Sequence, residues 1–93
     1  MLNSVGVTLS RLHRHEEART ALEESVALNR STGERLLESH ALVALGDIHR
    51  VRQRFGTARE CYEQALALRH ELNDSVGAAQ LMPRLAQLDT AQE

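Results

Sequence analysis

A chain of 93 residues with 42% hydrophobic and 26% charged residues has the composition of one small globular domain, which excludes intrinsic disorder and a second domain of ordinary size. The formal net charge of −2 provides no general attraction to nucleic acid or to an anionic membrane, since both favour a basic surface. Phe55 and Tyr62 are the only aromatic residues. The core must therefore consist mainly of aliphatic side chains, which suits packed helices better than a sandwich or barrel and predicts an all-α fold.

The cellular compartment is expected to be the cytoplasm. The single cysteine, Cys61, cannot form an internal disulfide, and no apolar run approaches the length of a membrane span. The N-terminal sequence lacks the apolar core and cleavage site of a secretory signal. All eleven basic residues are arginine, a bias typical of GC-rich coding sequences, which indicates a bacterial source.

The chain repeats itself with a period of forty residues, and such self-similarity is the signature of a repeat architecture. A third, incomplete copy begins where Met82 and Leu85 match Leu42 and Leu45. Between the first two copies, eight pairs are identical without a gap: Leu2 and Leu42, Gly6 and Gly46, Arg14 and Arg54, Ala18 and Ala58, Arg19 and Arg59, Glu23 and Glu63, Ala27 and Ala67, and Leu28 and Leu68.

Each copy is predicted to be a helical hairpin, because its apolar residues recur at intervals of three and four. Breaks are expected inside the copies, at RLHRHEE and RQRFGT, and between them, at STGE and LNDS. Gly33 and its counterpart Asn73 are residue types that tolerate the left-handed conformation in which helices end. The predicted helices lie near residues 2–13, 16–31, 34–52, 56–72 and 75–91.

Small residues at matched positions have a packing explanation. Gly6 and Gly46 are expected to face Ala18 and Ala58 across their hairpins, with Tyr62 filling the space alongside the second pair. Glycine in mid-helix costs about 1 kcal/mol relative to alanine, so its recurrence indicates a steric requirement.

The last helix has the pattern of a cap. Pro83 lacks a backbone donor and is expected to start or kink this helix. The side chains expected to pack inward are Val76, Leu81, Leu85 and Leu88.

Two stretches resemble the tetratricopeptide repeats: RFGTARECYEQALAL is similar to the second helix of that family, and LVALGDIHRVRQRF to its first helix and turn. The forty-residue period resembles the long-helix members found in bacterial signalling ATPases and transcription regulators. The resemblance implies an α-solenoid of about two and a half hairpins, or five helices, in a single domain of residues 1–93. Copy one would span 1–33, copy two 34–73, and a partial third copy or capping helix 74–93.

The same resemblance implies a binding groove. In the family, the free sector of each first helix lines a concave surface that holds a peptide or helix of a partner. A helical wheel of the middle helix leaves one such sector free, which holds His40, Val43, Asp47 and Arg50. The residues that the resemblance assigns to the partner-binding groove are Ser4, Val7, Arg11, His40, Val43, Asp47, Arg50 and Gln80.

No cofactor, metal or catalytic site is expected. His13 and His15 form a pair, but a metal site needs three or four ligands and no further ligand is evident. Cys61 is flanked by Glu60 and Glu63, and negative neighbours oppose a reactive thiolate. Phosphate-binding loops and nucleophile motifs are absent, so the chain is not expected to be an enzyme.

Two known modes of binding are not expected either. The run HRVRQR is the one basic stretch, and only Phe55 follows it, whereas nucleic-acid grooves usually interleave basic residues with aromatics. Some tetratricopeptide proteins hold a C-terminal carboxylate with lysine and asparagine. This chain has no lysine, and Asn3, Asn29 and Asn73 lie away from the groove positions.

The leading functional hypothesis is a non-catalytic scaffold that binds a protein segment in the groove. The alternative is a ligand-sensing or regulatory piece of a larger bacterial transcription regulator or signalling ATPase, whose output domains lie in other sequence. Self-association through exposed helix faces is a further expectation.

Overall fold

A computed structural model describes the backbone of residues 4–92 and the side chains of residues 14–89. Four α-helices joined by short turns make up this part of the chain, and it contains no strand. The helices are α1 (Ser4–Thr32), α2 (Arg35–Val51), α3 (Phe55–Glu71) and α4 (Ser75–Gln92). The all-α prediction is confirmed.

The prediction of five helices is wrong by one, because α1 continues through the segment RLHRHEE, where a turn was expected. In the second copy the equivalent turn depends on Gln53, which has a φ of 62°, and is followed by Gly56. The first copy has His13 and Glu16 at these positions. Glutamate is a good helix former and glycine a poor one. The first copy therefore lacks the glycine that weakens the helix at this point in the second copy, and its helix continues.

The three turns between the helices have the same backbone geometry. Gly33 and Asn73 have φ values of 77° and 57°, which confirms the left-handed conformation expected at both. After each helix, one N–H bonds back five residues and the preceding N–H bonds back three, as in the Schellman motif. The three longer bonds join Glu34 N to Asn29 O, Arg54 N to His49 O, and Asp74 N to Arg69 O, each at 2.8 Å.

Each helix packs on the next along the chain, α1 on α2, α2 on α3 and α3 on α4. The tightest contact joins α2 and α3, where the ring of Tyr62 lies against Gly46. A Cβ atom on Gly46 would lie only 2.5 Å from Cε1 of Tyr62. Gly46 is therefore in close contact with α3, as predicted, but the nearest side-chain atoms belong to Tyr62, whereas Ala58 was the expected partner. The fully buried residues of the core are Ala58, Tyr62, Ala65, Leu81 and Leu88.

Helix α4 covers the end of this core, with one departure from the expected pattern. Leu81 and Leu88 are fully buried and Leu85 is half-buried, as expected, but Val76 is 71% exposed. At about 100° per residue, Val76 lies roughly 140° around the helix from Leu81, so it faces away from α3. Pro83 lies inside α4 and does not start it.

Candidate functional site

The structure brings four of the predicted groove residues together in one pocket. His40, Val43 and Asp47 project from α2, and Gln80 projects from α4. They line a half-open pocket of about 340 Å³ between the two helices. The remaining lining residues are Ala44, Arg69 and Arg84.

The other predicted groove residues lie outside this pocket. Arg50 is half-buried on α2 beside it, where Nη2 lies 3.7 Å from Oδ1 of Asp47. Ser4, Val7 and Arg11 belong to the first part of α1, and their side chains lie outside the described residues.

Asp47 is the centre of a polar network at one end of the pocket. Its Oδ1 accepts a hydrogen bond from the Tyr62 hydroxyl and another from Arg84 Nε at 3.1 Å. Arg50 Nε donates to the Tyr62 oxygen at 3.3 Å. The network thus connects α2, α3 and α4, and it fixes the direction in which Arg84 leaves its helix.

The network also changes the acidity of Tyr62. Burial of the phenol raises the pKa of Tyr62 to about 12, and the hydrogen bond donated to Asp47 adds to this effect. The nearby Arg50 acts in the opposite direction because its positive charge favours the phenolate. Tyr62 therefore stays protonated at neutral pH and acts as a hydrogen-bond donor rather than a base.

Arg69 forms the floor of the pocket and is only 6% exposed. Its Nε donates to Ser39 Oγ at 2.8 Å and its Nη1 donates to the carbonyl oxygen of Gly77 at 2.6 Å. Both acceptors are uncharged. Among the described residues, no carboxylate forms an ion pair with Arg69.

Sequence reasoning missed both arginines of the pocket. Arg84 follows Gln80 by four residues, so helical spacing alone puts the two side chains on one face. The sequence contains that signal, but the prediction for the last helix was a cap, and Arg84 was not assigned to the groove. Arg69 gives no such signal, because arginine near the end of a second helix is typical of a solvated residue that complements the helix dipole.

Cys61 and His49, two residues with potentially reactive side chains, are held in unreactive states. Burial raises the pKa of the Cys61 thiol, and the charges of Glu60 and Glu23 raise it further. Burial lowers the pKa of His49, with Arg54 adding to the effect, so the imidazole is neutral at pH 7. Within the described part of the chain, no group of three or more histidine, cysteine, aspartate or glutamate side chains could hold a metal ion.

The basic run near the end of α2 is largely engaged in contacts within the molecule. Arg50 contacts Asp47 and Tyr62, and Arg52 forms an ion pair with Glu16 of α1. These contacts hold the guanidinium groups against the protein.

A second pocket, of about 370 Å³, lies between α3 and α4. Leu66, Ala78 and Met82 give it an apolar wall, and Met82 is 58% exposed. Its polar lining comes from the end of α3, with His70, and from the turn before α4, with Asp74. No cluster of charged groups converges in it.

Antiparallel helices that pack in chain order, with a forty-residue correspondence between α2 and α4, define a helical-repeat protein. A family model described as tetratricopeptide repeat matches residues 1–71, and the chain belongs to the tetratricopeptide repeat family. Repeats of this family generally mediate protein–protein interactions, and its members are generally non-catalytic. Neither the curated proteins nor the solved structures gave a significant match. Over the described residues, none of the helices combines the length and apolar character needed to cross a membrane.

Proposed function

We propose that this protein is a non-catalytic scaffold that binds a segment of a partner protein across α2 and α4. The observation that carries the proposal is the pocket in which His40, Val43, Asp47 and Gln80 converge. The family resemblance assigns these side chains to the groove from the sequence, and two successive first helices supply them.

The chemistry of this surface suits a peptide better than a small apolar ligand. Val43 packs against the core and offers an apolar contact, while His40 and Gln80 are exposed. Asp47 and Arg84 hold each other in place, so their charges are already oriented before a partner arrives. Preorganised polar groups lower the entropic cost of binding.

The test is a pull-down from the source cells with three forms of the protein. His40→Asp plus Gln80→Asp adds two negative charges to the groove without touching a buried residue. Thr57→Asp plus Gln64→Asp adds the same charges to exposed positions of α3 and serves as the matched control. We expect partner recovery to fall at least about tenfold for the groove variant only, since each misplaced charge in an interface costs more than about 1 kcal/mol.

Equal recovery with the groove variant and the natural protein would contradict the groove assignment. Recovery of a partner that carries a DNA-binding or nucleotide-binding domain would favour the alternative hypothesis, in which the repeats regulate an output domain.

A further inference from the structure

We infer that the pocket between α2 and α4 binds a side-chain carboxylate, glutamate or aspartate, of the partner segment, and that Arg69 is its principal ligand. This inference rests on the proposed function and names the chemistry that the groove selects. The Lys and Asn carboxylate contacts of some tetratricopeptide proteins play no part in it.

Arg69 is buried without a carboxylate partner among the described residues. An arginine that is only 6% exposed normally has a carboxylate partner, because neutral acceptors compensate only part of the hydration that its guanidinium loses. Among the described residues, Arg69 donates only to Ser39 Oγ, through Nε, and to Gly77 O, through Nη1. Nη2 of this pocket-lining residue has no hydrogen-bond partner in the described part of the chain.

The pocket lining carries more guanidinium groups than carboxylates. Two arginines, Arg69 and Arg84, face one carboxylate, Asp47. Oδ1 of Asp47 already accepts from Arg84 and from the Tyr62 hydroxyl. The lining therefore contains one more guanidinium than carboxylate, and an incoming carboxylate would balance this excess.

Hydrogen bonds hold both arginine side chains of the pocket in place. Arg69 bridges α2 and α4 through its two hydrogen bonds, and Ser39 is fully buried. Arg84 is held by Asp47 and by the carbonyl oxygen of Gln80, at 3.1 and 3.3 Å. Charge-assisted hydrogen bonds from fixed guanidinium groups are the strongest that a protein surface offers to a carboxylate.

The depth of Arg69 favours a side chain over a chain end. A carboxylate at the tip of a flexible side chain can enter a pocket while the peptide backbone stays in the groove. A C-terminal carboxylate is attached directly to a branched Cα, which would have to enter the pocket with it.

The test uses blocked amino acids as probes and follows the Nε–H signals of Arg69 and Arg84 by NMR. N-acetylglutamate α-amide presents a side-chain carboxylate, N-acetylglutamine α-amide presents none, and N-acetylglutamine with a free α-carboxylate mimics a chain end. We expect a saturable shift of the Arg69 signal with the first probe at millimolar concentration. The other two should bind at least about tenfold more weakly, because they lack the charged acceptor or cannot reach Arg69.

Arg69→Met should abolish the preference for the glutamate probe, whereas Arg35→Gln, an exposed arginine paired with Glu71, should preserve it. If Arg69→Met does not fold, Arg84→Met is the second variant, and it should weaken the glutamate probe at least about threefold. Equal shifts with all three probes, or no saturable shift at Arg69 in the natural protein, would overturn the inference.

The two proposals fail in different ways. Suppose that recovery of a partner depends on His40 and Gln80, but that the partner binds the natural protein and Arg69→Met with the same affinity. This result would refute the carboxylate site and leave the scaffold function intact. A partner whose recovery ignores His40 and Gln80 would refute the groove itself.

Discussion

The hydroxyl of Tyr62, on α3, donates a hydrogen bond to Asp47, on α2, and the same carboxylate oxygen accepts from Arg84 of α4. One aspartate therefore couples the tyrosine that fills the core to a charged side chain of the pocket. The ring of Tyr62 packs on Gly46, so the position of Asp47 depends on how closely α2 and α3 approach.

Tyr62→Phe removes the hydroxyl and keeps the ring. We expect the free energy of unfolding to fall by about 1 kcal/mol, since Asp47 retains its contacts with Arg50 and Arg84. Urea denaturation of both proteins at neutral pH measures the difference. No loss of stability would mean that the hydrogen bond is offset by solvation in the variant.

Alkaline pH should destabilise the natural protein through the same residue. The folded state holds the Tyr62 proton to a pKa of about 12, whereas the unfolded chain releases it near the ordinary value of 10. The unfolded state therefore loses its proton first, and stability is lost as the pH rises from 10 towards 12. Because Tyr62 is the only tyrosine and tryptophan is absent, the ultraviolet absorbance of the phenolate reports this titration directly. A midpoint near 10 in the folded protein would contradict the contact.

Gly46→Ala tests the close approach of α2 and α3. The new methyl group would overlap the buried ring of Tyr62, and we expect a loss of roughly 1–3 kcal/mol, despite a gain of about 1 kcal/mol in helix propensity. Gly56→Ala is the matched control, because a Cβ there meets nothing within 4 Å. That variant should be stabilised by about 0.5–1 kcal/mol. Equal effects of the two substitutions on thermal denaturation would refute the packing account.

Acid should destabilise the protein through His49. Burial and Arg54 lower its pKa in the folded state, only partly opposed by Glu23, so the unfolded chain binds the proton more readily. The contribution of neutral His49 to stability is complete above pH 6.5, which is the ordinary pKa of histidine. It is lost as the pH falls below that value. His49→Leu should lose less stability than the natural protein between about pH 7.5 and about pH 5.5.

The exposed His40→Gln is the control and should keep the natural pH dependence in urea denaturation. An unchanged acid sensitivity in His49→Leu would assign the effect to other groups.

The thiol of Cys61 should react slowly in the folded protein. It is 8% exposed, and its pKa is raised by burial and by Glu60 and Glu23, so both access and thiolate fraction are low. Alkylation by iodoacetamide should be at least about a hundredfold slower in buffer than in denaturant. Comparable rates in the two conditions would show that α3 opens readily from its neighbours.

The repeat pattern predicted most of the fold because packing depends on features that sequence spacing reveals. Gly33 and Asn73 indicate two helix ends, and Gly46 indicates a close contact between helices. The repeat pattern does not predict that α1 continues without a turn. Alignment of the two copies indicates a break in the first copy, but the residues at that point favour a helix. His13 and Glu16 occupy the places of Gln53 and Gly56, and the local preference for helix prevails there.

The pocket was predictable only in part. Helical periodicity placed His40, Val43 and Asp47 on one face and Gln80 on the equivalent face of the next copy. Burial of Arg69 could not be inferred, since it depends on the fit of three helices around one guanidinium, with acceptors as far apart in sequence as Ser39 and Gly77. A buried charge of this kind is a property of tertiary packing, not of local pattern.

The most direct measurement of the central claim is NMR mapping of the contact between this protein and a partner recovered by pull-down. The account predicts that backbone amide shifts concentrate along α2 and α4, around His40, Val43 and Gln80, with the Arg69 Nε–H signal also displaced. Shifts confined to the exposed face of α3, around Thr57 and Gln64, with the pocket unchanged, would contradict it.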